Sequence, residues 1–478
     1  MSCPQGEPVG FSASAQIRCS DVGGTYRPRQ PQTTTLYRIF QEHLETFIAQ
    51  KESDGLFLPA FVKDELRAFL DCGVLEKGLA RIHCYNCGYD FAIGFSCKGR
   101  GFCPSCCGKR MAATSAHLVD NVFPHVAVRQ YVLTLPIHFR YLISYKPKIL
   151  NRIMNIFLKA VRSHLQLKLN IQKSKSHFGA ITVIQRNGSA LNTNPHFHAL
   201  ALDGLYQEKD GILDWQSAPA LTDEEVIKLL HSMRSKIIRL LQKAGIIDDD
   251  ACLIADPFSD DDQILGSITR TALTAPKSGQ LFCLQTQENY HLQQKSHLCA
   301  AVEGFSLHAA TWISAHDRRK LENLCRYITR PPVANDRISL LPNGMVSYRL
   351  KNAFSDGSTR VVFEPLKFIE KLAALIPPKK AHLIHFHGIL APHAKNRKQV
   401  VPQPPDSDKL DYADQENRST KICNSTWAKL IKRVFIDDPL ACPKCGEKMK
   451  IISFITDPAS IAAFLKSHGL SDQMTSGP

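Results

Sequence analysis

Apolar residues recur at helical spacing in "TLYRIFQEHLETFIAQ", where Leu36, Ile39, Phe40, Leu44, Phe47 and Ile48 share one face. A second helix is predicted in "PAFVKDELRAFLDCG", opened by Pro59 and stopped at Gly73. Beyond a cluster of cysteines, "KRMAATSAHLVDNVF" reads as a helix, "VAVRQYVLTLP" as a strand and "PKILNRIMNIFLKAVRSHLQLKL" as a long amphipathic helix. Two strands, "HFGAITVIQR" and "HFHALALDG", and the helix "TDEEVIKLLHSMRSKIIRLLQKAG" follow. The order strand, helix, strand, strand, helix predicts an α+β fold, an antiparallel sheet with helices packed on it. "AHDRRKLENLCRYITRPP" is a further helix, closed by Pro331 and Pro332. Residues 336–365 alternate as a β meander does.

These patterns divide the chain. Residues 1–34, rich in Ser, Thr, Gly, Pro and Gln, are expected to form a disordered tail. Residues 35–112 form a helical, cysteine-bearing domain, and 113–335 a sheet-and-helix core ending in the helix that carries Tyr327. Residues 336–398 are a basic β/α region; between 366 and 400 seven Lys or Arg face a single acid, Glu370. A polar linker at 399–420 precedes a C-terminal module, 421–478, containing "CPKCG". Seven Asp between 248 and 262 read as a solvated loop.

At 478 residues and 44% hydrophobic content the chain can bury two or three cores. No apolar run reaches the length of a membrane span, and the N-terminus lacks the pattern of a signal peptide, so a cytoplasmic protein without membrane contact is expected. The net charge of +15 changes the picture more, because such an excess attracts a polyanion, nucleic acid first. Sixteen cysteines without a secretory signal point to metal sites or buried thiols rather than disulfides.

Cys84-x2-Cys87 and Cys103-x2-Cys106, fifteen residues apart, have the spacing of a four-thiolate Zn²⁺ site, structural because thiolates saturate the ion. Cys97, Cys107 and His83 leave the fourth ligand open, while Lys98, Arg100, Lys109 and Arg110 around the site are candidate DNA contacts. Cys442 and Cys445 are half of another site, with Cys423 a candidate partner.

The triplet "HFH" occurs twice, at His196–His198 and His385–His387, and one copy is expected to be a decoy. An isolated H-x-H is usually an ordinary piece of strand. In a strand, however, i and i+2 point to one side, so His196 and His198 aim both imidazoles at one point, as a divalent Mg²⁺ or Mn²⁺ requires. Gln185 on the neighbouring strand is the candidate third ligand, with Asp203 the alternative. Tyr327, flanked by Arg326 and Arg330, is the candidate nucleophile; the two arginines are also candidate DNA contacts.

"SCKGRGFCPSC", "RQYVLTLP", "LNTNPHFHALALDG", "LCRYITRPP", "FEPLKFIEKLAALIPP", "FHGILAPH" and "CPKCGEKMKIISFITDP", in that order, resemble the rolling-circle transposases of the Insertion Sequence 91 family over roughly residues 36–465. The resemblance implies a zinc-binding domain followed by an HUH (His-hydrophobe-His) endonuclease. Such an enzyme cuts single-stranded DNA at element ends and becomes joined to the 5′ phosphate through tyrosine, in the cytoplasm of a bacterium; a homo-oligomer is the further partner expectation. It puts the metal pair on His196 and His198 and the nucleophile on Tyr327. Some relatives carry two tyrosines one helical turn apart; here Pro331 stands four residues after Tyr327, which resembles the single-tyrosine branch. The alternatives are a plasmid replication initiator or relaxase with the same chemistry, and a non-catalytic zinc-dependent DNA-binding regulator.

Overall fold

The computed structural model describes residues 29–136, 139–140, 146–249, 293–353, 356–403 and 440–470. Of the sequence expectations, the tail up to residue 28, most of the aspartate-rich segment, Cys423 and the linker from 404 lie outside the described residues. Among the described residues no helix is long and apolar enough to cross a membrane.

Two helices, α1 (Thr35–Ser53) and α2 (Ala60–Asp71), open the chain. The Thr34 hydroxyl caps α1 by accepting from the Tyr37 amide. A hairpin of β1 (Leu79–His83) and β2 (Asp90–Gly94) follows, then α3 (Pro104–Asn121), begun by a proline at its first position. Next come β3 (Val128–Thr134), α4 (Pro147–Lys168), β4 (Ser176–His177), β5 (Gly179–Asn187), β6 (Thr193–Leu202), β7 (Gly204–Lys209) and β8 (Ile212–Ser217). Helix α5 (Asp223–Lys243) starts at a capping box between Thr222 and Glu225, with three acids in its first turn to suit the positive end of the helix dipole.

Four strands, β9 (Gln293–Ser296), β10 (Cys299–Val302), β11 (Phe305–His308) and β12 (Trp312–Ile313), lead to α6 (Arg318–Thr329). Asp317 caps α6 by accepting from the Lys320 amide at 2.8 Å. The meander expected at 336–365 is present as β13 (Ile338–Leu340), β14 (Val346–Arg349) and β15 (Arg360–Phe363), all antiparallel. The chain then forms α7 (Pro365–Leu375), β16 (Ile384–Gly388), β17 (Lys450–Ile455) and α8 (Pro458–Ser467).

The central sheet runs β16-β5-β6-β3-β11-β10-β9, with β12 also paired to β3. Its two faces carry different cores. Phe197, Ala199 and Ala201 of β6, with Tyr131, Leu133, Ala180 and Ile184, pack against Ile153, Phe157 and Val161 of α4 and against α5. Leu200 and Leu202, with Val128, Ile181 and Val183, pack against Leu118 and Val119 of α3 and Leu321, Leu324 and Ile328 of α6. Burial of each such aliphatic side chain is worth about 1.5–3 kcal/mol, so the sheet is fixed from both sides. This doubly covered arrangement explains why β6 reads as a near-continuous apolar run beyond its two histidines.

Two expected boundaries shift. Residues 336–398 do not stand apart as a basic region: β16 joins the central sheet, and Phe368, Ile369 and Leu372 of α7 share a core with Leu36, Phe40 and Phe47 of α1. Glu370, the lone acid of residues 366–400, is buried there and paired with Lys51 at 2.9 Å and Lys367 at 3.0 Å. Residues 440–470 are likewise not a separate module, because β17 pairs antiparallel with β1 in a sheet ordered β17-β1-β2.

Candidate active site and cysteine clusters

Strand parity builds the active-site candidate. In β6, His196 and His198 lie on the face covered by α3 and α6, and their ring centroids are 4.8 Å apart. The register puts Gln185 of β5 directly opposite His196 and Val132 of β3 opposite His198. His198 is 6% exposed. Its Nδ1 is 2.8 Å from the side-chain amide of Gln130, which reaches across from β3, and its Nε2 is buried without a hydrogen-bond partner.

An orphaned imidazole nitrogen aimed along a shared face fits a metal. The two ends of the Gln130 amide are interchangeable in such an assignment; with its carbonyl oxygen accepting from Nδ1–H, the His198 Nε2 keeps its lone pair. His196 is held in the same sense, Nδ1 donating to the Asn194 carbonyl at 2.7 Å. Burial, then the neighbouring His196 and Arg330, pushes the His198 pKa down to about 3, so the ring is neutral, the form a metal binds. Burial likewise lowers the pKa of His196.

Helix α6 brings Tyr327 to this face. Its buried side, Leu321, Leu324, Cys325 and Ile328, packs on the sheet and α3, while Tyr327 on the other side is 41% exposed. The helix ends at Thr329, because the proline at 331 supplies no amide and disfavours helix before it. The Gln185 amide donates to the Ile328 carbonyl at 2.7 Å and to that of Tyr327 at 3.4 Å, joining the strand opposite His196 to the end of the tyrosine helix. Arg330 and Lys351 stack on the Tyr327 ring at 4.6 and 4.3 Å from its centroid. Beside this group lies a cleft of about 320 Å³ lined by Gln185, Arg330, Arg100 and Arg110.

The other residues expected here divide. Asp203 is engaged elsewhere: both its oxygens are held by Arg129, at 3.0 and 3.1 Å, in a buried bidentate pair. Arg326 pairs with Glu322 one turn back at 2.6 Å, which leaves it less to offer DNA. Lys98 and Lys109 are exposed; Arg110 donates to the Lys98 and Gly99 carbonyls, and Arg100 to that of Ala381. Sequence reasoning missed two residues. Gln130 is a polar residue in an otherwise apolar strand, a signal that could have been read; His308, on β11 opposite Val132 and so on the same face, gave none.

The other HFH lies on the opposite side of the sheet. His385 and His387 pair with Thr182 and Ala180, which face α4, whereas their neighbours Ile384 and Phe386 share the face of His196 and His198. Their rings stand 6.2 Å apart, and His387 lines a separate cleft with Lys159 and Arg162 of α4.

The cysteines do not gather as their spacing suggests. Cys84, Cys87, Cys103 and Cys106 do not share one site; they fall into two groups, each completed from elsewhere. Cys103 and Cys106, at the N-terminal end of α3, meet Cys72, which ends α2, and Cys97: Sγ separations are 3.7 Å for Cys72–Cys103, 3.6 Å for Cys72–Cys106 and 3.4 Å for Cys97–Cys106. The stacked rings of Phe40 and Phe102, 5.0 Å apart, lie in the core that joins these elements. Cys107 is no part of the cage, its thiol facing the Gly99 carbonyl, and His83 is held by Asp90 at 2.9 Å. Cys84 and Cys87 instead meet Cys442 and Cys445.

Comparison with known families adds two matches. Residues 39–135 match the model "Transposase zinc-binding domain" of the Insertion Sequence 91 type, and residues 179–398 match one described as "Putative transposase". No curated protein and no solved structure matches the chain. The first match spans all four cysteines of the Cys72 cage, whose thiolates suit a structural Zn²⁺; the other spans Gln185, both HFH triplets and Tyr327. Order of motifs, fold and both matches agree: the chain belongs to the Insertion Sequence 91 family of transposases.

Proposed function

We propose that this transposase nicks single-stranded DNA at the ends of its element, with Tyr327 as nucleophile and His196 and His198, helped by Gln185, as ligands of a divalent Mg²⁺ or Mn²⁺. The observation that carries the reading is the bridge from the metal pair to the nucleophile: Gln185, opposite His196, donates to the carbonyls of Tyr327 and Ile328. A divalent ion at the histidines supplies Lewis-acid polarisation of the scissile phosphate.

The chain's own groups do the rest. Gln130 and the Asn194 carbonyl orient the two imidazoles, and burial keeps them neutral. The Arg330 and Lys351 cations over the Tyr327 ring attract the phosphate backbone to the nucleophile. The phenolate oxygen forms a bond to phosphorus as the P–O3′ bond breaks. The phenolic proton passes to solvent, the departing 3′ oxygen takes one up, and the 5′ phosphate remains on Tyr327. The new phosphodiester conserves the energy of the broken one, so later strand transfer needs no external source. Action on DNA goes with a cytoplasmic location.

The test is incubation with labelled single-stranded oligonucleotides from the element ends, with and without Mn²⁺, followed by denaturing electrophoresis. A metal-dependent, protein-linked DNA band supports the reading; cleavage without any linked species contradicts it.

A further inference from the structure

The cysteines at the two ends of the chain form a site of their own. Cys84 and Cys87 stand at the tip of the β1–β2 hairpin; Cys442 and Cys445 stand in a turn closed by a bridge between Ala441 and Lys448, immediately before β17. The Sγ atoms of Cys84 and Cys445 are 3.5 Å apart and those of Cys87 and Cys442 are 3.4 Å apart, and all four lie within 4.8 Å of one another. A disulfide needs about 2.05 Å, so these are not bonded pairs. A tetrahedral ion with metal–sulfur bonds of about 2.3 Å sets sulfur–sulfur edges of roughly 3.8 Å, and that does fit.

The two halves are built alike. In each, the amide of the first cysteine donates to a carbonyl five residues on, Cys84 to Tyr89 and Cys442 to Glu447, both at 2.8 Å. In each, the glycine after the second cysteine donates back to the first cysteine's carbonyl, Gly88 to Cys84 and Gly446 to Cys442, both at 2.9 Å. Both glycines have positive φ, +68° and +75°, a conformation that costs other residues but closes the turn around the sulfurs. Two copies of one knuckle, sulfurs converging, are the halves of a four-thiolate cage.

The surrounding core is too small to explain the arrangement alone. Among the described residues, Ile82, Leu440 and Met449 are the buried apolar side chains there other than the cysteines themselves, with another small cluster of Leu79, Ala92, Ile461, Phe464 and Leu465 beside it. A sheet of three strands with so little apolar cover needs a staple. Neither family match reaches residue 442, and the match at 39–135 contains only half of this cage.

We infer that Cys84, Cys87, Cys442 and Cys445 bind a second structural zinc ion, distinct from the one at Cys72, Cys97, Cys103 and Cys106, and that this ion fastens residues 440–470 to the N-terminal hairpin. The whole nuclease is thereby enclosed in one loop between the two knuckles. Soft thiolates in tetrahedral array select zinc or iron; zinc is assigned because Cys84 and Cys87 lie within the match to a zinc-binding domain.

Metal content of the full-length protein, after dialysis against a mild chelator, tests this. Elemental analysis is expected to give two zinc per chain. It should fall to one in the Cys442→Ser/Cys445→Ser double variant, which retains Cys84 and Cys87. Cys445→His, which swaps one zinc ligand for another, should keep two. In cobalt-substituted protein the thiolate charge-transfer absorption should halve with the double serine variant. One zinc in the full-length parent, two in the double serine variant, or iron in place of the second zinc would overturn the inference.

Discussion

His196-Phe197-His198 and His385-Phe386-His387 are the same three residues on strands of the same sheet, yet they face opposite ways. The pair on β6 points toward α6 and Tyr327; the pair on β16 points toward α4, with Lys159 and Arg162 as neighbours. Composition cannot explain the difference, since both pairs are partly or wholly buried and both carry depressed pKa values, about 3 for His198 and about 4 for His387. Parity explains it. With a side-chain period of two, one step in register exchanges the faces, and β16 joins β5 with its histidines out of phase with those of β6. A metal-ligand triplet is therefore a motif only together with the face it occupies.

Four substitutions sharpen this contrast. The largest effect is expected from His196→Ala, which removes one of two imidazole ligands: Mn²⁺-dependent nicking should fall by at least about a thousandfold, measured by single-turnover cleavage, with single-stranded DNA binding largely kept. Asp203→Asn comes next, but in stability. Leaving Arg129 buried beside a neutral partner should cost about 3–5 kcal/mol in denaturant unfolding; lost metal binding in a folded protein would mean that Asp203 is a ligand after all. Gln130→Leu takes away the group that orients His198 and should weaken Mn²⁺ affinity roughly 10–100-fold, as read by titration calorimetry, with the fold intact. The smallest effect belongs to His387→Ala, within about threefold of the parent rate in the cleavage assay. If it matched His196→Ala instead, the two faces would have exchanged roles.

Helices were legible in the sequence because apolar spacing and end signals agree: the capping box of Thr222 and Glu225 and the proline after Thr329 mark boundaries that the structure keeps to within a few residues. The zinc-ligand sets were not. A C-x2-C knuckle specifies two ligands and says nothing of the other two, which are supplied by tertiary structure; here the nearer knuckle in sequence was the wrong partner. The repeated C-x2-C-G of "CYNCG" and "CPKCG" was the available signal, obscured by 354 intervening residues between Cys87 and Cys442. Cys72 and Cys97 are single cysteines with no motif to announce them. Asp203 resembled a ligand because its neighbours in sequence are the histidines, while its partner Arg129 lies 74 positions away. Histidines and tyrosine were legible as residue types, but the Gln185 bridge between them depends on a register that only the folded sheet supplies.

The central claim is that Tyr327 carries the DNA. It is tested most directly by trapping the adduct with an end-derived single strand in Mn²⁺, digesting with trypsin and locating the modified peptide by mass spectrometry, alongside Tyr327→Phe. That variant keeps the ring that packs against Arg330 and Lys351 and loses only the oxygen. The account predicts a nucleotide on the peptide containing Tyr327 in the parent, and no adduct and no nicking in the variant, with DNA bound about equally by both. An adduct on another tyrosine, such as Tyr348, or a Phe variant that still becomes linked to DNA, would contradict it.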